Sequence, residues 1–400
     1  MTYAEAFNFG EAFVENKPTF ISVFQFDKRE WAFTLSLSLS LSLDCVAKLL
    51  ELSVSIMFED IISFENLCIA WQEFVRGKRQ RKDAAEFSLN LADNLYVLHD
   101  DLKNKRYAHS PYQAFKINDP KPRDIHKATV RDRIVHRAIY RTLCPFFERV
   151  FIADSYSCRL SKGTHKALNR FRAFGYKVSR NDTHTCWVLK CDIRKFFANI
   201  DHKILLEILK SRISDENTVW LLQKVISSFS TPDKLGVGLP LGNLTSQLFV
   251  NIYMNEFDQF VKHRIGAKYY IRYADDFVVL SQDKKWLENV LLEMDKYLCG
   301  KLHLKLHPDK VFIKTLASGV DFLGWVHFPD HRVLRTTTKR RMMRKVFARP
   351  VSSVINSYLG MLKHGNTYKL EKLLPRPIEE DGRSLEVGEK DKHSGIGIRE

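Results

Sequence analysis

Two adjacent carboxylates, Asp275 and Asp276, are the residues of this chain most suited to chemistry. They separate two apolar, β-prone runs at 269–272 and 277–280, and this pattern predicts a strand–turn–strand hairpin with acids at its tip. An unpaired carboxylate among packed side chains costs several kcal/mol. A hard divalent cation, which prefers oxygen ligands, would offset that cost. The pair therefore indicates a metal site, with a solvated turn as the alternative when the pair is taken alone.

A third carboxylate, Asp192, ends another apolar run at 188–191 and is followed by a predicted tight turn. Three carboxylates on two adjacent strands can hold two Mg²⁺ ions about 4 Å apart, which would activate a 3′ oxygen and stabilise a leaving phosphate. Taken alone, Asp192 would more simply cap the end of its strand. Together the residues predict a metal site at Asp192, Ile193, Asp275 and Asp276, with two Mg²⁺ ions as cofactor and Mn²⁺ as a substitute.

Positive charge is concentrated in the middle of the chain. The net charge is +16, but residues 1–56 carry −3 and residues 376–400 carry −2, so residues 57–375 carry +21. Such an excess favours a polyanionic partner, and nucleic acid is the leading candidate. A basic but merely solvated surface is the alternative. The hydrophobic content of 45% indicates a globular chain.

Several classes of protein are disfavoured. The seven cysteines form no Cys-x-x-Cys pair, so neither a zinc ribbon nor a disulfide framework is indicated, and free thiols in a reducing cytoplasm are expected. No run of 18 apolar residues is present, so no membrane span is expected. Leu and Ser alternate over 35–43 as a CT-dinucleotide repeat would encode them. We therefore expect residues 1–56 to be a non-conserved or mis-translated extension, and residues 375–400 to be disordered.

The elements that must position the carboxylates follow from the apolar spacing. Helices are predicted at 57–110, 128–150, 201–213, 243–263, 284–299 and 335–374. Besides the hairpin, strands are predicted within 185–200, at 311–314 and at 321–328. This mixture indicates the α+β class.

The order and spacing of these motifs resemble the reverse transcriptase family, and group II intron-like enzymes in particular. The resemblance rests on Asp192 with Phe196 and Phe197, on Gly242 with Ser246, and on Tyr-Ala-Asp-Asp at 273–276. Further matching segments are Arg123 with 129–135, then 155–163, 308–310 and 319–324. The likeness covers about residues 100 to 370. It implies a right-hand polymerase fold: N-terminal helices and fingers at 57–183, a palm of antiparallel sheet backed by helices at 184–330, and a helical thumb at 331–374.

The resemblance implies an RNA-directed DNA polymerase that extends a primer along a template RNA and makes cDNA from deoxynucleotide triphosphates. The implied catalytic residues are Asp192, Asp275, Asp276 and Lys310. Lys310 would donate a proton to pyrophosphate, although it could also be an exposed lysine in a turn. The implied nucleotide-binding residues are Arg123, Phe197, Leu241, Gly242, Gln247 and Tyr273. Phe197 would exclude a 2′-hydroxyl, and Lys116 or Lys121 could assist Arg123 at the triphosphate. The implied nucleic-acid-binding residues are Arg133, Arg159, Lys162, Phe322, Leu323, Gly324, Lys339, Arg340 and Arg344.

One segment departs from the common pattern. Residues 239–247 read Leu-Pro-Leu-Gly-Asn-Leu-Thr-Ser-Gln, whereas most group II-like and retron enzymes have Gln before the glycine and Pro after the serine. The substitutions at Leu241 and Gln247 resemble the reverse transcriptases of diversity-generating retroelements. That family copies a template-repeat RNA with errors concentrated at adenines, and the mutated cDNA replaces part of a target gene. A small basic accessory protein is then a candidate partner.

Two other functions stay open. A group II-like enzyme serving an intron or phage defence would carry the same motifs, although group II maturases usually have a further DNA-binding or endonuclease region after the thumb. Here only residues 375–400 follow Leu374, which disfavours the intron role. A nucleic-acid-binding relative with an inactive polymerase fold is the second alternative, and the retention of the three acids and Lys310 disfavours it.

Overall fold

The computed structural model describes residues 56–118 and 122–375. The alternating Leu and Ser run, the rest of the expected extension up to residue 55, Lys121, and the expected tail from residue 376 onward lie outside the described residues. The described residues belong to one compact unit. The predicted boundaries between fingers, palm and thumb therefore stay predictions.

The N-terminal part is helical, as its apolar spacing predicts. Its helices are α1 (Phe58–Ile62), α2 (Phe64–Val75), α3 (Lys82–Leu89), α4 (Leu91–Lys103) and α5 (Val130–Glu148). The side chains of Ser63 and Thr129 cap α2 and α5 by accepting hydrogen bonds from backbone N–H groups of the first turn. Between α4 and α5, strands β1 (Gln113–Ile117) and β2 (Arg123–Lys127) form an exposed antiparallel hairpin.

A four-stranded antiparallel sheet, called the palm sheet here, carries the predicted acids. Its strands are β3 (Trp187–Asp192), β4 (Tyr270–Tyr273), β5 (Asp276–Ser281) and β6 (Phe312–Thr315), in the order β4-β5-β3-β6. Successive side chains of a strand point to opposite faces. Leu189 and Cys191 accordingly join one buried core, while Val188 joins another. The predicted hairpin at 269–280 is confirmed as β4 and β5.

Helices cover both faces of the palm sheet. They are α6 (Thr164–Val178), α7 (His202–Lys210), α8 (Glu216–Ser227), α9 (Leu244–Gln259) and α10 (Lys284–Leu302). One π-helical turn, Phe260–Arg264, extends α9. Helices α9 and α10 contribute to the core that contains Leu189, whereas α6 contributes to the core that contains Val188.

The C-terminal part combines a second sheet with helices. Strands β7 (Val320–Phe322), β8 (Trp325–His327) and β9 (Arg332–Leu334) form an antiparallel sheet, followed by α11 (Thr336–Ala348), α12 (Ser352–Leu362) and α13 (Tyr368–Glu371). The stretch predicted as strand at 321–328 is thus a tight hairpin. The helical stretch at 335–374 is divided, since Pro350 cannot continue α11. None of the described helices is long and apolar enough to cross a membrane.

Candidate active site

The strand register brings the three acids together. Asp192, the last residue of β3, lies directly opposite Asp276, the first residue of β5. Between β4 and β5 the chain turns through Ala274, which has a left-handed φ of 56°. The N–H of Ile193 donates to the carbonyl of Asp275 (3.1 Å), which ties the turn to the end of β3. The adjacency that the sequence predicts for these carboxylates is therefore present.

Two lysines lie beside these carboxylates. Lys310 Nζ donates to Asp192 Oδ1 at 2.7 Å, and Lys190 Nζ lies 3.3 Å from Asp276 Oδ1. Lys310 is a sequence-predicted residue, but Lys190 was missed. The available signal was a lysine inside an apolar strand two residues before Asp192, a spacing that places both side chains on the same face.

Burial dominates the electrostatics of the site. It raises the pKa of Asp276 to about 6; the nearby charges of Asp192 and Asp275 add to this rise, and Lys190 opposes it. Burial and then the charge of Asp192 raise the pKa of Asp275, while Lys310 and Arg123 oppose the rise. The carboxylates therefore hold their negative charge at a cost, which a nearby cation would reduce.

The donor set fits a hard divalent cation. Among residues 56–118 and 122–375, no three carboxylate, imidazole or thiol groups form a ready-made cage for a metal ion. Asp276 Oδ1, however, is buried and accepts no hydrogen bond; its ion-pair partner is Lys190, at 3.3 Å. The ammonium balances the charge of this oxygen but leaves its lone pairs without a hydrogen bond, and buried polar atoms in this state are rare. Carboxylate oxygens are the ligands that Mg²⁺ prefers.

Two predicted nucleotide-binding aromatics flank the acids. Phe197 follows β3 in a single 3₁₀ turn, Phe196–Asn199, where its ring meets that of Phe196 edge to face. Phe197 is half-buried, and its carbonyl accepts a hydrogen bond from the N–H of Leu239 (2.8 Å). Tyr273 is also half-buried, and its hydroxyl accepts a hydrogen bond from Thr164 Oγ1 at 3.1 Å.

The loop before α9 lies against the β1–β2 hairpin. The N–H of His126 donates to the carbonyl of Leu241 (3.1 Å), and Asn243 Nδ2 donates to the carbonyl of His126 (3.0 Å). Gly242 and Gln247 line a cavity of about 360 Å³ together with basic side chains from the loop after α2, from β2 and from α5, Arg133 among them. Arg123 is the first residue of β2, the strand that also contains His126. The structure thus gathers Arg123, Leu241, Gly242 and Gln247 in one region.

A second cavity, of about 340 Å³, joins the acids to the C-terminal part. Its lining includes Lys190 and Asp276 from the palm sheet, the β7–β8 turn at Leu323 and Gly324, and Arg341 of α11. Leu323 and Gly324 both have positive φ, 51° and 85°, and this lets the hairpin turn tightly at the cavity wall. Arg341 was missed as a site residue, because a basic run on a helix does not by itself reveal which member faces inward.

Several predicted nucleic-acid contacts are instead engaged within the protein, which corrects part of the expected set. Arg159 is 5% exposed and donates to both carboxylate oxygens of Glu148. Phe322 is fully buried in the C-terminal core. Arg159 and Phe322 therefore hold local structure, because their donors or apolar surface already have partners. Lys162 Nζ donates to the carbonyl of Ala153 at 2.7 Å, but this uses one of its three donors, so its nucleic-acid contact stays a prediction.

The remaining predicted contacts divide into two kinds. Arg133 is partly committed, since it pairs with Asp83 and stacks on the ring of Phe74. Lys127 and Arg133 outweigh the effect of burial and lower the pKa of Asp83 to about 2. On α11, by contrast, three predicted side chains are exposed: Lys339, Arg340 and Arg344. Their roles in nucleic-acid binding stay predictions.

These features define a class of protein. The chain has a four-stranded antiparallel sheet with two acids at its β4–β5 hairpin and a third at the end of the neighbouring strand β3. Together with the helices that pack on this sheet, the β1–β2 hairpin before it and the helical region after it, this arrangement is that of a right-hand polymerase. A family model described as reverse transcriptase (RNA-dependent DNA polymerase) matches residues 116–327, more than half of the 400 residues. The chain therefore belongs to the reverse transcriptase family, and it is an RNA-directed DNA polymerase.

Curated relatives support the predicted group II-like character. The chain is 29% identical over 306 residues to Protein YkfC of Escherichia coli strain K12, an alignment covering 66% of this chain and 78% of that protein. It is 24% identical over 312 residues to the group II intron-encoded protein LtrA of Lactococcus lactis subsp. cremoris, covering 60% of this chain and 50% of LtrA. The chain thus spans about half the length of LtrA.

Solved structures of telomerases show distant likeness. Apo telomerase from Candida tropicalis, truncated from the C-terminal domain, aligns with a TM-score of 0.42 at 12% identity over 60% of this chain and 58% of that chain. Telomerase from Candida albicans, in complex with a fragment of telomeric RNA, aligns with a TM-score of 0.43 at 10% identity over 59% of this chain and 48% of that chain.

Proposed function

We propose that this polymerase is the error-prone reverse transcriptase of a diversity-generating retroelement. It copies a template RNA into cDNA with errors concentrated at adenines, and a small basic accessory protein is its expected partner. The observation that carries the proposal is the pair Leu241 and Gln247, at positions where most group II-like enzymes have Gln and Pro. Both residues belong to the loop and first helical turn that lie against the β1–β2 hairpin.

Close packing and a hydrogen bond fix the backbone of this loop. The side chain at position 241 is therefore the part of the loop whose chemistry can differ between enzymes. Gly242 has a φ of 102°, and a Cβ added there would lie 3.0 Å from Ile125 Cγ2. The hydrogen bond from His126 N–H to the carbonyl of Leu241 fixes the preceding residue. In this proposal the half-buried side chain of Leu241 would decide what the loop offers to a templating base.

Loss of a polar contact at this point accounts for low fidelity. A glutamine amide could hydrogen-bond the template strand and restrict its position, whereas leucine offers no donor or acceptor. Such a hydrogen bond is worth about 1 kcal/mol. A discrimination loss of about 1.4 kcal/mol corresponds to a tenfold change in error frequency. Even a modest loosening of the template base would therefore be measurable.

The acids carry the chemical step in this proposal. Asp192, Asp275 and Asp276 would hold two Mg²⁺ ions, with Mn²⁺ as a substitute. When bound, the ions supply Lewis-acid activation of the primer 3′ oxygen and of the leaving pyrophosphate. Lys310, which is hydrogen-bonded to Asp192, would deliver a proton to pyrophosphate.

The remaining site residues would select and hold the nucleotide. Phe197 would exclude a ribose 2′-hydroxyl and so favour deoxynucleotides. Arg123 would neutralise the triphosphate, and its charge already acts on Asp275. Tyr273 would support the primer terminus.

The test is primer extension on a heteropolymeric RNA template with Mg²⁺, followed by sequencing of the cDNA. Leu241→Gln is expected to lower the error rate opposite adenine roughly fivefold, because one restored template contact is worth about 1 kcal/mol. Leu244→Gln is the matched control, since Leu244 lies three residues further along and lines the cavity of Gly242 and Gln247, and it should leave adenine errors unchanged. An unaltered adenine error rate in Leu241→Gln would contradict the retroelement role.

A group II-like enzyme of an intron or of phage defence is the second candidate, favoured by the similarity to LtrA. The two candidates differ in their genomic surroundings. A retroelement requires near-identical repeats that differ where one copy has adenine, and the absence of such repeats would favour the second candidate.

A further inference from the structure

Arg272 is a charged residue in a place where substrate cannot reach it. It belongs to β4, three residues before Asp275, and its side chain is fully buried. Its ion-pair partner, Asp258 of α9, is equally buried. Removing two charges from water is costly, and a buried pair is weak evidence for stability by itself. The function of Arg272 must therefore be sought in what its guanidinium touches.

The guanidinium distributes its donors over three parts of the molecule. Nε and Nη2 donate to the carboxylate of Asp258 at 2.7 to 2.9 Å. Nη2 also donates to Ser155 Oγ (3.3 Å), and Nη1 donates to Asn251 Oδ1 (3.3 Å). The remaining contact runs from Nη1 to the carbonyl of Ala274 at 3.2 Å. This last hydrogen bond reaches the turn that carries Asp275 and Asp276.

That turn needs an external restraint. Ala274 has a φ of 56°, a left-handed conformation that a residue with a Cβ adopts at a cost of order 1 kcal/mol. The Arg272 hydrogen bond fixes the carbonyl of Ala274. The Ile193 N–H fixes the carbonyl of Asp275. Two consecutive carbonyls of the turn therefore accept hydrogen bonds. That of Ala274 accepts from the Arg272 guanidinium, and that of Asp275 accepts from the N–H of Ile193, directly after β3.

The other contacts anchor Arg272 itself. Asn251 and Asp258 are seven residues apart on α9 and so share one face of that helix. The hydroxyl of Tyr270 also donates to Asp258 (2.7 Å). Helix α9 begins directly after Gly242 and Asn243. The guanidinium therefore links this helix, which follows the loop of Leu241 and Gly242, to the turn that carries Asp275 and Asp276.

We propose that Arg272 is a positioning residue that holds the Ala274 turn so that Asp275 and Asp276 are arranged for metal binding. This inference rests on the metal-dependent polymerization proposed above. Arg272 does not touch substrate; it acts through the backbone of the turn. Its planar fork of donors reaches Asp258 and Ala274 together, which a single ammonium group cannot do.

The first test compares Arg272→Lys with Arg141→Lys. Arg141 is the matched control, because its guanidinium also bonds a carboxylate, Glu73, and a side-chain amide, Asn66, but both partners belong to α2 and not to the turn. For Arg272→Lys, kcat should fall roughly 10-fold or more with the deoxynucleotide KM within about 3-fold, and Mn²⁺ affinity should weaken roughly 10-fold. Mn²⁺ affinity is measured by electron paramagnetic resonance without substrate. Arg141→Lys should retain both kcat and Mn²⁺ affinity.

A second variant separates positioning from folding. In Arg272→Met/Asp258→Leu the buried ion pair is replaced by apolar side chains, a change that is often neutral for stability, while the donor to Ala274 is lost. Circular dichroism should show a folded protein that still has weakened Mn²⁺ affinity and low kcat. Wild-type Mn²⁺ affinity and kcat in this folded variant, or in Arg272→Lys, would overturn the proposal.

Failure of the proposed function gives a different result. If the wild-type protein binds Mn²⁺ but makes no cDNA, the polymerase proposal fails, while the Mn²⁺ comparison still tests Arg272. If the wild-type protein makes cDNA and Arg272→Lys matches it in Mn²⁺ affinity, only the positioning role fails.

Discussion

The palm sheet and helix α11 are both rich in positively charged side chains. Those of the palm sheet mostly pair with aspartates, whereas those of α11 are mostly exposed to solvent. In or beside the palm sheet, three cations each lie within 3.3 Å of an aspartate oxygen: Lys190, Lys310 and Arg272. On α11, four cations are exposed: Lys339, Arg340, Arg344 and Lys345. The pairs of Lys190 and Arg272 are buried and fix geometry, so breaking one is expensive. Exposed cations act together through the phosphates they neutralise. Single substitutions should therefore be severe in the palm sheet and mild on α11.

The largest expected effect is the loss of one acid. Asp275→Asn should reduce cDNA synthesis at least about 1000-fold, because a metal ligand is removed while the side chain keeps its size. Primer extension measures the loss. Asp321→Asn is the matched control, since Asp321 lines the same cavity as Asp276 but pairs with Arg335 at 3.0 Å. Activity of Asp275→Asn close to that of the control would contradict the expectation that single substitutions in the palm sheet are severe.

The next effect concerns Lys310. Lys310→Ala should lower kcat roughly 100-fold, the usual contribution of a positioned general acid. Lys310→Arg keeps the positive charge beside Asp192 but does not release a proton, so it separates charge neutralisation from proton donation. Lys305→Ala, an exposed lysine five residues earlier, should leave kcat unchanged. Full activity of Lys310→Arg would assign Lys310 an electrostatic role only.

A smaller effect is expected on α11. Replacing Lys339, Arg340 and Arg344 by Ala together should weaken primer–template binding and lower the slope of log K against log salt by about 2 to 3. At saturating nucleic acid, kcat should not change. Lys284→Ala serves as the control, because Lys284 pairs with Glu288 on the surface of α10. An unchanged salt slope in the triple variant would remove α11 from the nucleic-acid surface.

The smallest effect comes from residues that are buried without charge. Burial lowers the pKa of His136 and of His327 to about 3, whereas an unfolded histidine titrates near 6.5. As pH falls below about 6.5 the unfolded state takes up protons that the folded state does not, so stability is lost down to about pH 3, at up to about 1.4 kcal/mol per pH unit for each histidine. Urea denaturation of His136→Gln and His327→Gln should show a shallower decline between about pH 7 and 5. An unchanged decline in both variants would contradict this.

The sequence predicts the carboxylates better than the groups around them. Asp192, Asp275 and Asp276 are conspicuous because each interrupts an apolar strand pattern, and strand pairing then brings them together. Lys190 and Arg272 also interrupt apolar strands, but a long basic side chain can reach solvent from such a position. Only the three-dimensional neighbours, Asp276 and Asp258, reveal that both are engaged inward.

Sequence motifs also fail to give the direction of a side chain. Arg159 belongs to a motif that implies nucleic-acid contact, yet Glu148 lies close enough to take its guanidinium. Phe322 belongs to the matching segment at 319–324 and is predicted to contact nucleic acid, but its side chain is buried in the core. The sequence predicts that residues 335–374 are helical. It does not predict where the helices are interrupted, because that depends on local features such as Pro350.

The palm sheet is assembled from strands that are far apart in the chain, so its strand edges stay open during synthesis of the polypeptide. The outer edge of β4 shows this. That edge is covered by a segment far upstream, through a bridge between Ser155 and Arg272 and hydrogen bonds that join Arg272 to Asp154 and Tyr156. An uncovered edge strand is a template for pairing with other chains. A nascent chain that has emerged as far as β3 still lacks the strands on both sides of it. Sheet completion must wait until β6 is synthesised, so pausing of the ribosome between residues 192 and 312 would expose open strand edges to aggregation.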